Sequence, residues 1–182
     1  VLPMVEMADV GSFFMLVVIS PAKKLDMRVD DHAPTTAPHF AADAETLAGV
    51  ARDLSTDDLQ ALMSISPALA ELNAIRFAEF GTQPVKAAAL AFAGDTYQGL
   101  EAPTLDEDEM AWAQNHLRIL SGLYGVLRPM DAIEPYRLEM GRKFGVNGAK
   151  TLYEFWGARL TDQLNAEFES QSSKKNVLIN LA

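Results

Sequence analysis

The sequence predicts a mixed α/β (α+β) domain, and three observations carry that prediction. Leu16-Val17-Val18-Ile19 is a continuous apolar run with the length and β-branching of a buried strand. A second such run, Val177-Leu178-Ile179-Asn180-Leu181, stands near the other end of the chain. Between them lie capping signals followed by apolar residues at helical spacing, so strands alternate with helical pairs. With 182 residues, 49% hydrophobic and 22% charged, the composition is that of one ordinary globular domain.

The first strand runs into Ser20-Pro21-Ala22-Lys23-Lys24, where Pro21 ends regular pairing. His32 to Pro38 reads as a turn-rich connector. Ser55 with Asp58 forms a capping box ahead of Leu59, Leu62 and Met63. Ser66-Pro67 opens the next helix and Gly81 closes it, with Leu69, Leu72, Ile75, Phe77 and Phe80 as its core stripe. Val85 to Phe92 is assigned as a strand ending at Gly94-Asp95. Thr104 with Glu107 predicts a further capping box, opening a helix through Trp112, His116 and Leu120 to Ser121-Gly122. Thr151 with Glu154 opens a helix through Leu164 and Phe168, and the last strand follows Ser170-Gln171-Ser172-Ser173.

Charge and composition exclude several function classes. Zero cysteine removes disulfides, thiolate-bound metals and thiol reduction of peroxide. The formal net charge of −10 opposes uniform binding of a polyanion. That charge is uneven: residues 1–110 carry a net −12 and residues 111–182 a net +2, so a polyanion site is expected in the second half. The run Phe13 to Ile19 is far short of the roughly 20 apolar residues of a spanning helix. The segment before it carries Glu6 and Asp9 and no basic residue, unlike a signal peptide, and the expected location is cytoplasmic. Residues 1–14 read as an N-terminal extension ahead of a domain at 15–182, and the end at Ala182, directly after a strand, suggests a fragment.

Four clusters are candidates for chemistry. Lys23 follows a strand end, where α/β folds place ligands, and suits either a phosphate contact, a nucleophile or a solvated turn. The loop Phe92 to Gly99 offers Asp95 and Tyr97 as acid/base or hydrogen-bonding groups, or simply a capped turn. Leu120 to Pro129 has the glycine pattern of a helix-hairpin-helix. In that motif Gly122 and Gly125 would free backbone amides for a phosphate, with Arg118 and Arg128 adding charge. Pro129 leaves room for only about one helical turn after Gly125. In Pro135 to Lys143, Arg137 either pairs with Glu139 or joins Tyr136 in stacking on a base or binding phosphate. His32, His39 and His116 have no metal-ligand spacing, Asp106 to Glu109 read as a solvated helix start, and Trp112, Tyr153, Phe155 and Trp156 read as core. No metal or cofactor is expected.

Taken in order, Ile19-Ser20-Pro21-Ala22-Lys23, Asn73-Ala74-Ile75-Arg76-Phe77 and Gly94-Asp95-x-Tyr97-x-Gly99-Leu100 lead to the long block His116 to Pro129. Pro135 to Gly141, Leu152-Tyr153-x-Phe155-Trp156 and Val177 to Ala182 follow. From Met15 to Ala182 this series resembles the bacterial YaaA peroxide stress protein family. The resemblance implies a mixed α/β fold with a helix-hairpin-helix and a basic cleft. It also implies a role in the cytoplasmic hydrogen peroxide response, limiting damage linked to unincorporated iron, and non-sequence-specific binding of double-stranded DNA. On that basis Lys23, Arg118, Gly122, Gly125, Arg128 and Arg137 are the implied nucleic-acid contacts, with Asp95 and Tyr97 as cleft residues. The family continues past Ala182 into a Lys/Arg-rich part, so the resemblance also implies C-terminal truncation. An enzyme acting on a small anionic or nucleotide-like substrate through Lys23, Asp95, Tyr97 and Arg137 is the alternative, with no reaction attached.

Overall fold

A computed structural model describes residues 13–29, 33–171 and 175–182. In chain order the elements are β1 (Phe13–Ile19), β2 (Lys24–Leu25), α1 (Ala41–Arg52), α2 (Thr56–Met63) and α3 (Pro67–Ala78). Then come β3 (Lys86–Ala87), α4 (Ala88–Ala91), β4 (Phe92–Ala93), α5 (Asp95–Leu100), a 3-10 turn at Ala102–Thr104 and α6 (Glu107–His116). The second half contains β5 (Leu117–Ser121), β6 (Gly125–Leu127), β7 (Ala132–Ile133), α7 (Leu152–Trp156), α8 (Arg159–Glu169) and β8 (Lys175–Leu181). The mixed α/β class read from the sequence is the class observed. No helix of the described residues is long and apolar enough to cross a membrane.

β1 organises the fold. Its apolar run is paired on both sides, parallel to β5 and parallel to β8, in a four-stranded sheet of order β6-β5-β1-β8. Phe14, Leu16 and Val18 are buried, as alternation along a strand requires. β1 starts at Phe13, so Phe13 and Phe14 of the expected 1–14 extension pair with Lys175 and Asn176; residues 1–12, and His32, lie outside the described residues.

The helices close over one main core that includes Leu47, Leu59, Phe77, Ile119, Leu127 and Trp156. Local capping sets their starts. Ser55 and Asp58 form the expected reciprocal box on α2, and Ser66 caps α3 with Pro67 in its first turn. Thr151 caps α7 by accepting from the Glu154 amide, but Gly157 at φ +51° breaks the expected long helix into α7 and α8. α8 is docked through Arg159, which pairs with Asp43 and lies over the Phe155 and Trp156 rings at 4.7 and 5.0 Å.

Several expectations are corrected. α3 turns Ala70, Asn73 and Phe77 inward and leaves Leu69, Leu72 and Ile75 exposed. The small side chains let α3 lie close against α1 and α2, and buried Asn73 donates to the Leu69 carbonyl at 2.8 Å. Val85 to Phe92 is not one strand, because Ala88–Ala91 winds into a helical turn between two short strands. The Asp95 to Gly99 loop is the helix α5. The capping box on α6 is Asp106 with Glu109, two residues beyond the expected pair.

The largest correction concerns the helix-hairpin-helix. α6 stops at His116, and Leu117 turns extended (φ −107°, ψ 137°) to pair with Val17. Leu117 to Leu127 is therefore a β-hairpin, with Ser121 opposite Gly125. The backbone of β1 needs a partner on this side, and β5 supplies it more completely than a continued helix would. Gly122 and Gly125 are hairpin residues, not helix caps. Gly125 holds φ +69°, and a Cβ there would meet Leu160, Phe40 and Trp156 at about 3 Å.

Candidate ligand-binding cleft

The carboxyl ends of the three parallel strands β1, β5 and β8 lie side by side, with Ile19 opposite both Ile119 and Leu181. Ligands of open α/β sheets bind at such edges. A cleft of about 630 Å³ opens there, against Ser20 to Lys23 after β1, Leu120 of β5, and Asn180 and Ala182 of β8. The segment Tyr136 to Met140 forms another wall, and Tyr153, Trp156 and Leu160 form the apolar side. The volume is that of a small-molecule site.

Tyr97 fixes the Ser20 to Lys23 loop. Its hydroxyl donates to the Ser20 carbonyl at 2.9 Å, and burial, with Tyr136 nearby, pushes its phenol above the usual range. Tyr97 thus supports the cleft from behind as a neutral donor. Asp95 is exposed at the start of α5 and is not part of the cleft wall.

The charged side of the cleft converges on one carboxylate. Glu139 takes Arg142 at 2.7 Å, Arg137 at 3.1 Å and Lys23 at 3.7 Å. Partial burial works to raise its pKa. The hydrogen bond from Arg142 and the charges of Arg142, Lys23 and Arg137 outweigh that and hold the carboxyl below its usual range. Three cations on one anion leave the cluster with a positive surplus. Arg137 Nε is buried without a hydrogen-bond partner among the described residues. Of the two sequence readings of Arg137, the structure shows the ion pair with Glu139.

The remaining candidates sit elsewhere. Arg118 is 6% exposed and spent on Glu167 at 2.8 Å and on the Gln114 and Leu117 carbonyls; burial lowers its pKa, opposed by Glu167. Arg128 is held by Asp131 at 3.0 Å and the Ala37 carbonyl at 3.2 Å. Both line a separate polar crevice of about 360 Å³, which shares no wall residue with the first. Gly122 is buried where a Cβ would lie 2.4 Å from the Leu138 carbonyl, so it serves close backbone packing. Of the six implied contacts, the structure brings together Lys23 and Arg137.

Sequence reading passed over Asn180 and Tyr153 as cleft residues. Tyr153 is 66% exposed at the cleft, whereas Trp156 is core as expected, its indole N–H donating to the Gly122 carbonyl at 3.0 Å. The signal for Tyr153 lay in its place on the outer side of a short helix, opposite Leu152 and Trp156. His116 stacks on Trp112 and contacts the Met15 carbonyl through Nδ1 at 2.7 Å. Among the described residues no group of three or more His, Asp or Glu side chains is arranged to hold a metal ion.

Comparison with known proteins supplies the identity of the architecture. The model of a family described as peroxide stress protein YaaA matches residues 15–182. This chain belongs to the YaaA family. It is similar to a UPF0246 protein of Roseobacter denitrificans, 56% identical over 172 residues, which cover 92% of this chain and 65% of that protein. A UPF0246 protein of Ruegeria pomeroyi is 55% identical with 92% and 66% covered, and one of Jannaschia is 56% identical with 92% and 65% covered. The YaaA-family chain thus spans about two thirds of the length of these relatives. The cleft and its charged cluster, Ser20 to Ala182, fall wholly inside the matched residues.

Proposed function

We propose that this chain serves in hydrogen peroxide protection by holding a phosphate-bearing ligand in the cleft, with the backbone of double-stranded DNA as the main source of phosphate. The observation that carries this reading is the surplus of donors around Glu139: Lys23, Arg137 and Arg142 share one carboxylate, and Arg137 Nε has no acceptor among the described residues. Such a fork is suited to a phosphate, whose oxygens accept what Glu139 leaves over. Lys23, 67% exposed, stands at the cleft wall, where a phosphate of a duplex backbone can reach it. A protein covering nucleic acid in this way would limit its exposure to damage from peroxide and unincorporated iron. Arg118, Gly122 and Gly125 drop out of the contact set because they are buried, and Arg128 is retained only as a peripheral contact.

A second reading, enzymatic action on a small nucleotide-like substrate, is favoured by the placement of the cleft at the ends of parallel strands. Fluorescence anisotropy of a labelled duplex across a salt series separates the two. Two phosphates neutralised by Lys23 and Arg137 predict a slope of about −2 in log K against log salt, and Lys23→Gln or Arg137→Gln should each flatten it by about 1. A slope unchanged by both variants would remove the cleft from DNA binding. Binding of AMP without binding of duplex would favour the second reading.

A further inference from the structure

The cleft has two chemically different sides. On the charged side Arg137 gives Glu139 only its Nη2, at 3.1 Å, and neither Nε nor Nη1 has an acceptor among the described residues. Lys23 stands beside them, 3.7 Å from Glu139 and largely exposed. On the apolar side are Tyr153, Trp156 and Leu160. Trp156 is already in use there. It is buried, its indole N–H goes to the Gly122 carbonyl, and Arg159 and Phe40 pack on its ring at 5.0 and 5.3 Å. Tyr153 is the reverse case: it is 66% exposed, and among the described residues no ring or cation stacks on it. Its backbone is nevertheless fixed, because Thr151 caps α7 through the Glu154 amide at 3.2 Å and neighbouring Leu152 is fully buried. A large flat ring held on a fixed backbone at an apolar cleft gives contact area at small entropic cost.

We propose that Tyr153 is the stacking platform for the base of a purine nucleoside monophosphate, whose phosphate is held by Lys23 and Arg137. This rests on the reading of the cleft as a phosphate site and names the class of ligand that fills it. A ligand that uses both sides needs a flat apolar face and an anionic group in one small molecule, which a nucleotide supplies. The cleft volume of about 630 Å³ lies within the range of small-molecule sites. Every base has a π-face, so the phenol ring selects for the presence of a base, and a purine gives it the largest area. A base inside a duplex is stacked on its neighbours through both faces. It has no free face for Tyr153, so a duplex uses Lys23 and Arg137 and gains nothing from the platform.

The test is calorimetric titration of the 182-residue chain with AMP and with ribose 5-phosphate, which carries the phosphate without the base. The wild type is expected to bind AMP about ten-fold more tightly, the effect of one stacked base. Tyr153→Ala should bring AMP down to the level of ribose 5-phosphate and leave ribose 5-phosphate, and Tm, unchanged. Tyr153→Phe keeps the ring and should keep the AMP affinity. Lys23→Gln should weaken both ligands by a similar factor. In the NMR spectrum, the Tyr153 ring protons should move upfield as AMP is added and stay in place with ribose 5-phosphate. Equal wild-type affinities for the two ligands, or full AMP affinity in Tyr153→Ala, would overturn the platform and leave the phosphate site standing. A Tyr153→Ala protein that loses both ligands together with Tm would assign Tyr153 a structural role only. A wild-type chain that binds neither ligand would overturn both readings.

Discussion

Trp156 and Gly122, 34 residues apart, are joined by a buried hydrogen bond from the indole N–H to the Gly122 carbonyl at 3.0 Å. The bond ties α7 to the turn of the β5–β6 hairpin, directly beneath the cleft. Trp156→Phe keeps most of the apolar volume and strands that carbonyl. A loss of about 1–3 kcal/mol is expected in urea denaturation, with the larger values if no water reaches the site.

Gly122 also faces a backbone approach that tolerates no side chain. A Cβ there would lie 2.4 Å from the Leu138 carbonyl oxygen and 3.0 Å from the Met140 amide, both in the charged wall. Gly122→Ala should cost about 1–3 kcal/mol and displace that wall, weakening phosphate binding along with stability. Gly49, within α1 and with nothing within 4 Å of a built Cβ, supplies the contrast. Gly49→Ala should raise stability by about 0.5–1 kcal/mol in the same denaturation experiment.

What the sequence made legible was local. The Ser55–Asp58 box, the Ser66-Pro67 start and the apolar run of β1 depend on neighbours within a few residues, and each stands where it was expected. What failed depended on distant partners. Leu117 to Ser121 extends α6 in helical spacing as readily as it forms a strand, and only the parallel partner β1, a hundred residues away in the chain, decides between them. α3 is apolar on two faces, and the choice of the Ala70–Phe77 face follows from how closely α1 and α2 approach. The cleft shows the same division. Lys23 and Arg137 stood out in the sequence as candidates, but the edge that unites them with Glu139, Tyr153 and Asn180 is a product of sheet order.

Arg118 is held as a structural arginine by Glu167. Its side chain is 7% exposed and that of Glu167 18%, and their pairing spans β5 and α8. Removing one partner strands a buried charge, so Arg118→Ala and Glu167→Ala should each cost about 3–5 kcal/mol. Neither should change the affinity of the protein that remains folded. Arg137→Gln should do the reverse, with little change in Tm and a clear loss of AMP affinity. Measuring Tm and AMP affinity on the same three preparations checks both halves.

Glu139 sets a pH dependence whose direction follows from its neighbours. Its folded pKa is lowered below the ordinary 4.5, because the Arg142 hydrogen bond and the charges of Arg142, Lys23 and Arg137 outweigh burial. The folded state then holds this proton less tightly than the unfolded chain, which makes stability rise with pH in that region. The contribution is fully present above about pH 4.5, and falls away as pH drops through the lowered folded pKa. Glu139→Gln should therefore have a flatter loss of stability below pH 4.5 than the wild type, while the two curves run parallel at neutral pH. Thermal melts from pH 7 down through this acidic window give the comparison. Identical acid limbs in the two proteins would show that the cluster around Glu139 is not held together in solution.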